Sequence, residues 1–205
     1  MVHLVRHAEV RNPDGVVYGR LPGFALSEDG RAQAADRALR LRRRPVSAVW
    51  SSPLQRALET AAPIAAEHRL QVRVHPGLTE WLLADAWEGL SWNELTTARP
   101  GELEAYLTAP GDLPFSAESL AQLALRVGGA VAELEQRCPV GEMVVVGHQD
   151  PSQAARLWLT GRPLTGLHDD KPGHGSIATL RPGDPWVEVS SWHTPPQDWP
   201  GGRGV

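Results

Sequence analysis

The sequence predicts an α/β fold of three layers, in which a mostly parallel central sheet lies between helices. Three observations carry that expectation. Short apolar runs alternate with longer stretches of helical periodicity, the order that builds βαβ units. The early runs are each followed by a polar or cationic residue, as happens when the carboxyl ends of parallel strands open onto a site. The last two runs are separated by Arg181-Pro182-Gly183-Asp184-Pro185, turn chemistry that reads as a hairpin at one sheet edge.

The elements follow in order. His3-Leu4-Val5 is the first buried strand, and 46–50, 72–75 and 143–146 are the next three. Residues 177–180 and 186–189 form the final pair. Helix starts announce themselves by their caps. Ser27 precedes Glu28 and Asp29, an N-cap with acidic residues in the first turn. Ser52-Pro53-Leu54-Gln55 reads as a capping box with proline at the first helical position. Asp150-Pro151-Ser152-Gln153 follows the same logic. Ser116 begins a long helical pattern that ends near Arg137, with Gly128-Gly129 as a weak point inside it. Residues 81–115 differ: Trp81, Trp87, Trp92 and Tyr106 are broken by Pro100, Pro110 and Pro114. They read as a partly helical insertion over the sheet edge, whose tryptophans either pack its core or wall a substrate. The tail after Trp192 is rich in Pro, Gly and Trp and reads as irregular. Without repeats or low-complexity blocks, residues 1–205 are expected to form a single domain.

Composition sets outer bounds. The chain has 205 residues, 41% hydrophobic and 21% charged, enough for a substantial core without staples. A net charge of -4 does not suggest nucleic acid as a partner. One cysteine, Cys138, excludes an internal disulfide framework and a Cys-built zinc site, and is expected to pack as a spectator. The N-terminal apolar run stops at Arg6, too early for a signal peptide, and no stretch is long enough to span a membrane. A cytoplasmic location follows as the default. Arg42-Arg43-Arg44 reads as the cationic end of a helix.

The chemistry gathers at the strand ends. Arg6-His7 follows the first strand, Ser51-Ser52-Pro53 and then Arg56 follow the second, and Gly147-His148 follow the fourth. The strand at 72–75 leads to Glu80. Two histidines and two arginines therefore aim at one crevice. Guanidinium forks match phosphate oxygens, and a helix start beside Arg56 also favours an anion. Positive neighbours lower a histidine's pKa, and neutral imidazole is the nucleophilic form. His174, in Gly173-His174-Gly175-Ser176 before a strand, is placed to line the same pocket. His3, His68, His75, His168 and His193 carry no expected catalytic role.

Four segments then carry a family resemblance. Leu4-Val5-Arg6-His7-Ala8-Glu9 resembles the Arg-His-Gly signature of the histidine phosphatase superfamily, the phosphoglycerate mutase-like proteins. The stretch from Ser51-Ser52-Pro53-Leu54-Gln55-Arg56 through Ala61 resembles the second block. Leu78-Thr79-Glu80 with Trp87-Glu88-Gly89 resembles the acid-bearing block, and Val145-Val146-Gly147-His148 the second histidine. Asn12-Pro13-Asp14-Gly15-Val16-Val17-Tyr18-Gly19-Arg20, with Leu26-Ser27, resembles the phosphatase branch that includes α-ribazole phosphatases.

The resemblance implies roles. His7 attacks phosphorus and becomes a phosphohistidine. Arg6, Arg56 and His148 hold the phosphoryl oxygens and their developing charge, with Asn12 as a further phosphate contact. Glu80 serves as acid and then base, and neither metal nor cofactor is required. Four departures from the pattern stand out: Ala8 replaces glycine, Gln149 replaces glycine, and Asn12 comes one position early. The spacing from Glu80 to Trp87 is one residue long, which leaves Glu88 and Asp85 as alternative acids. The expected activity is hydrolysis of a small-molecule phosphomonoester. A phosphomutase or phosphotransferase, or a catalytically weak phospho-ligand binding module, is the alternative. Oligomeric state stays open, a homodimer included.

Overall fold

The chain is described here by a computed structural model covering residues 1–138 and 140–193. Strand β1 (Val2–Arg6) leads through a long loop to α1 (Glu28–Leu41), then β2 (Val46–Ser51), α2 (Gln55–Glu67) and β3 (Val72–Val74). Two short helices, α3 (Trp92–Ala98) and α4 (Glu102–Thr108), precede α5 (Leu120–Gln136), β4 (Glu142–Gly147) and α6 (Gln149–Leu159). The hairpin of β5 (Ile177–Arg181) and β6 (Val187–His193) comes last. The strands form one six-stranded sheet in the order β3-β2-β4-β1-β5-β6. The first four are mutually parallel, and β5 and β6 run antiparallel at one edge, where the turn residues placed a hairpin.

Alternation along the strands creates the three layers. Val5, Val49, Val144 and Val146 face one way and pack against Ala38 and Leu41 of α1 and Ala57, Ala61 and Ile64 of α2. Their neighbours Leu4, Ala48, Met143 and Val145 face the other way, into a core with Leu123, Val127 and Val131 of α5 and Ala154 and Ala155 of α6. A period of two in the strands thus meets a helical stripe on each face. Every residue of β4, between β1 and β2, is buried, as a central parallel strand requires. Among the described residues no helix is long and apolar enough to cross a membrane.

Several local expectations need correction. Ser27 does cap α1, accepting from the Gly30 amide. Ser52 does not build a capping box: α2 begins only at Gln55 and has no side-chain cap. Helix α6 starts at Gln149 with His148 as its cap residue, so Asp150 lies inside the first turn. The long helix begins at Leu120, because Ser119 and Gln122 form the capping box and Ser116 Oγ turns to the Glu118 carbonyl. Its glycines do not break it. A Cβ at Gly128 would lie 2.4 Å from Trp158, so the missing side chain lets α5 and α6 approach closely. Arg44 lies beyond the end of α1 and grips Glu142 with two hydrogen bonds instead of completing a helix terminus.

Residues 81–115 form short helical pieces. Trp81, Leu83, Trp87, Leu95 and Tyr106 join the α5–α6 core. Trp81 and Trp87 are buried core residues and Trp92 is exposed. The expected irregular tail beyond His193 lies outside the described residues.

Candidate active site

The strand order places β1 and β4 side by side, with Arg6 opposite Gly147 in the register. The next residue of each strand is a histidine. The chain crosses on one face from β1 to β2 and returns on the other to β4, so the crevice lies at the point where strand order reverses. His7 and His148 consequently meet edge to face, ring centres 5.4 Å apart. Both are buried.

The local bonding of His7 sets its chemistry. Its Nδ1 lies 2.8 Å from the Ala8 carbonyl oxygen, which can only accept. The ring hydrogen is therefore on Nδ1, and Nε2 keeps its lone pair. The Ala8 amide is tied to Thr60 Oγ1, and that hydroxyl donates to the Arg56 carbonyl, joining β1 to α2. Burial, then Arg56, His148 and Arg6, hold His7 well below the ordinary histidine range. It is neutral and nucleophilic at neutral pH.

Arg56 is fully enclosed. One nitrogen donates to the Gly19 carbonyl at 2.7 Å, and its guanidinium lies 4.7 Å from the centre of the Tyr18 ring. Arg6 donates to the Pro172 carbonyl at 2.8 Å. His148 Nε2 is 2.7 Å from Ser52 Oγ, which also accepts from the Leu54 amide at 3.3 Å. Burial and both arginines keep His148 neutral too. Among the described residues, Arg6 Nε, Arg56 Nε and His148 Nδ1 are buried without a hydrogen-bond partner. Two guanidiniums and a second imidazole thus converge on His7, a setting whose chemistry suits an oxygen-rich anion.

Glu80 reaches the same cluster. Its Oε2 is 3.6 Å from both Arg56 and His148 Nδ1, and its Oε1 accepts from the Trp81 amide at 2.9 Å. Burial raises its pKa against the opposing pull of Arg56, the mark of a carboxyl able to carry a proton to a leaving group. The alternatives are engaged elsewhere. Asp85 pairs with the Arg20 guanidinium, and Glu88 accepts from the Arg20 amide. Gly19, at φ +35°, allows that approach, since a Cβ there would strike Glu88.

Asn12 is not brought to the cluster by any hydrogen bond. Its amide spans Val16, donating to the carbonyl and accepting from the N–H, and so clamps the loop instead of reaching for an anion. Both ends of its amide are engaged in this local turn, a use to which asparagine is suited.

Other residues of the site escaped sequence reading. Tyr18 packs between Arg56 and Phe24. Arg126 donates to the carbonyls of Gly77, Thr79 and Glu80 at 3.0, 3.1 and 3.3 Å and grips Glu118 through both carboxylate oxygens. It holds the loop that carries Glu80. Arg126 looks in sequence like any surface residue of a helix, and no local signal marks it. His174, suspected from its position, does line the cluster, with its ring 5.5 Å from that of His7.

Comparison with known proteins establishes the family and the fold. Residues 2–194 match the histidine phosphatase superfamily (branch 1), and the chain belongs to that family. An uncharacterized protein of Mycobacterium tuberculosis is 43% identical over 180 residues, covering 87% of each chain. Phosphoserine phosphatase 1 of Hydrogenobacter thermophilus is 34% identical over 164 residues, covering 79% of this chain and 77% of that protein. Among solved structures, a mycobacterial glucosyl-3-phosphoglycerate phosphatase superposes with a TM-score of 0.81 at 28% identity, covering 93% of this chain and 97% of the other. The sheet, mostly parallel between two helical layers, is that of the phosphoglycerate mutase-like fold.

Proposed function

We propose that this protein is a phosphomonoesterase that hydrolyses a small phosphorylated metabolite through a phosphohistidine on Nε2 of His7. The observation that carries the reading is His7 itself: a neutral ring with its lone pair fixed on Nε2, set among the Arg6 and Arg56 guanidiniums and the His148 ring, each with one buried nitrogen that has no hydrogen-bond partner among the described residues. In the first step Nε2 bonds to phosphorus as the ester P–O bond breaks, and Glu80 delivers its proton to the departing oxygen. In the second, water attacks phosphorus, Glu80 takes a proton from it, and the P–N bond breaks to release phosphate. Arg6, Arg56 and His148 stabilise the charge on the transferring group, preorganised where water is excluded.

Relatives and neighbours named as phosphatases for phosphoserine and glucosyl-3-phosphoglycerate support hydrolysis, and their substrates define the first panel to test. A phosphoglycerate mutase from Thermoplasma acidophilum, 31% identical over 153 residues, keeps phosphoryl transfer as the second reading. Phosphate release from phosphoserine, phosphoglycerates and glycosylated phosphoglycerates decides between them. Hydrolysis predicts free phosphate without an acceptor. Isomer exchange that needs a bisphosphate primer, with little free phosphate, overturns it.

A further inference from the structure

We infer that His174 is a further catalytic residue, a neutral hydrogen-bond donor whose Nδ1–H binds a non-bridging oxygen of the phosphoryl group on His7. The inference rests on the proposed phosphatase reading for the identity of the anion, but its geometry stands independently.

The loop before β5 is tied to the end of β1 at several points. The Pro172 carbonyl accepts from the Arg6 guanidinium at 2.8 Å, the Ser176 carbonyl accepts from the Arg6 amide at 3.1 Å, and the Gly175 amide donates to the His7 carbonyl at 3.2 Å. Gly175 sits at φ +67°, a left-handed turn that aligns its amide with His7. His174 is therefore held by both of its flanks against the nucleophile's own backbone.

Its tautomer follows from its partner. His174 Nε2 lies 3.0 Å from Nη2 of Arg6. A guanidinium has donors only, so Nε2 must accept, and the single hydrogen of the neutral ring must be on Nδ1. Among the described residues Nδ1 has no hydrogen-bond partner. Unlike the sealed nitrogens of Arg6, Arg56 and His148, it is also not walled off by protein. The His174 ring stands 5.5 Å from the His7 ring, nearly the 5.4 Å that separates His7 from His148. A group bonded to His7 Nε2 thus has an imidazole donor available from a second loop. The same contact orients Arg6, so one ring both aims a cation at the anion and adds a donor of its own.

Neutrality makes this donor dependable. Burial, then Arg6 and Arg56, lower the pKa of His174 to about 3. The ring does not become imidazolium across the range in which a histidine nucleophile works, so it contributes no titration of its own. It acts as an amide-like donor in an electrophilic pocket.

The test combines tautomer and affinity. Long-range 15N–1H spectra of 15N-histidine-labelled protein should show His174 as the Nδ1–H tautomer from pH 5.5 to 8, with the Nδ1 proton shifted downfield on saturation with inorganic phosphate. His174→Ala should weaken inorganic phosphate binding and lower kcat/KM by about 10- to 100-fold, the range for losing a charge-assisted bond. His174→Gln, whose amide can accept from Arg6 and still donate, should recover much of both. An Nε2–H tautomer, titration near pH 6.5, or unchanged phosphate affinity in His174→Ala each overturns the inference. If His7 never carries phosphate while the phosphate-dependent shift at His174 persists, the phosphatase reading fails and the anion contact survives.

Discussion

Strands β1 and β4 carry a buried polar network at each end, one built on His3 and the other on His7, His148 and His174. At the amino end, His3 Nδ1 pairs with Thr179 at 2.9 Å, and its Nε2 pairs with Glu142 at 2.8 Å. Glu142 in turn takes two bonds from Arg44, at 2.8 and 2.6 Å. The ring and its carboxylate are both matched from within the chain. At the carboxyl end, three buried nitrogens beside His7 have no partner among the described residues. His3, His7 and His148 are all buried, but the hydrogen-bonding groups around them are satisfied to different degrees. A finished network holds the sheet together, whereas an unfinished one waits for an anion.

That contrast can be broken by substitution. His7→Ala should lower turnover about 10⁴-fold or more, because it removes the proposed nucleophile. Steady-state phosphate release measures it. Arg56→Ala should cost about 10²- to 10³-fold in kcat/KM, as for removal of one preorganised donor. Glu80→Gln should slow esters with poor leaving groups about 10²-fold more than activated aryl phosphates. Glu88→Gln should show no such dependence, and if it does, the acid is misassigned. Glu142→Gln, at the satisfied end, should leave kcat/KM close to wild type. It should instead cost about 1–3 kcal/mol of unfolding free energy, since His3 and Arg44 lose a shared carboxylate. A large loss of activity with unchanged stability in that variant would erase the distinction between the two ends.

The pH dependence of stability is a finer probe. His7, His148 and His174 all have pKa values depressed by burial and nearby arginines. The unfolded chain takes up protons first as pH falls, so their contribution is present above about pH 6.5 and is lost below it. Unfolding free energies from denaturant titrations at pH 7.5 and 5.5 should differ by on the order of 1 kcal/mol for each histidine. A stability that rises on acidification would contradict the neutral, arginine-ringed pocket.

Much of this was legible in the chain because strand ends and strand interiors obey local rules. Apolar runs gave the strands, and the residue just past each run gave Arg6, His7 and His148. Legibility failed where one side chain had to choose between local and distant partners. Ser52 has the sequence context of a helix cap but bonds His148, 96 positions away. Asn12 bonds locally, its amide engaged with Val16 in both directions. Arg126 was invisible because its work is done on backbone carbonyls from another segment, which leaves no pattern in its own helix. In residues 81–115 tryptophan content signals burial but does not tell that Trp81 and Trp87 share a core with α5 and α6 while Trp92 is exposed.

The most direct test of the central claim is to trap the covalent intermediate. Enzyme mixed with a 32P-labelled aryl phosphate, quenched in alkali and mapped by peptide, should carry acid-labile, alkali-stable label on His7 alone, at Nε2. Label on another residue, or full turnover in His7→Ala without any labelled enzyme, would contradict it.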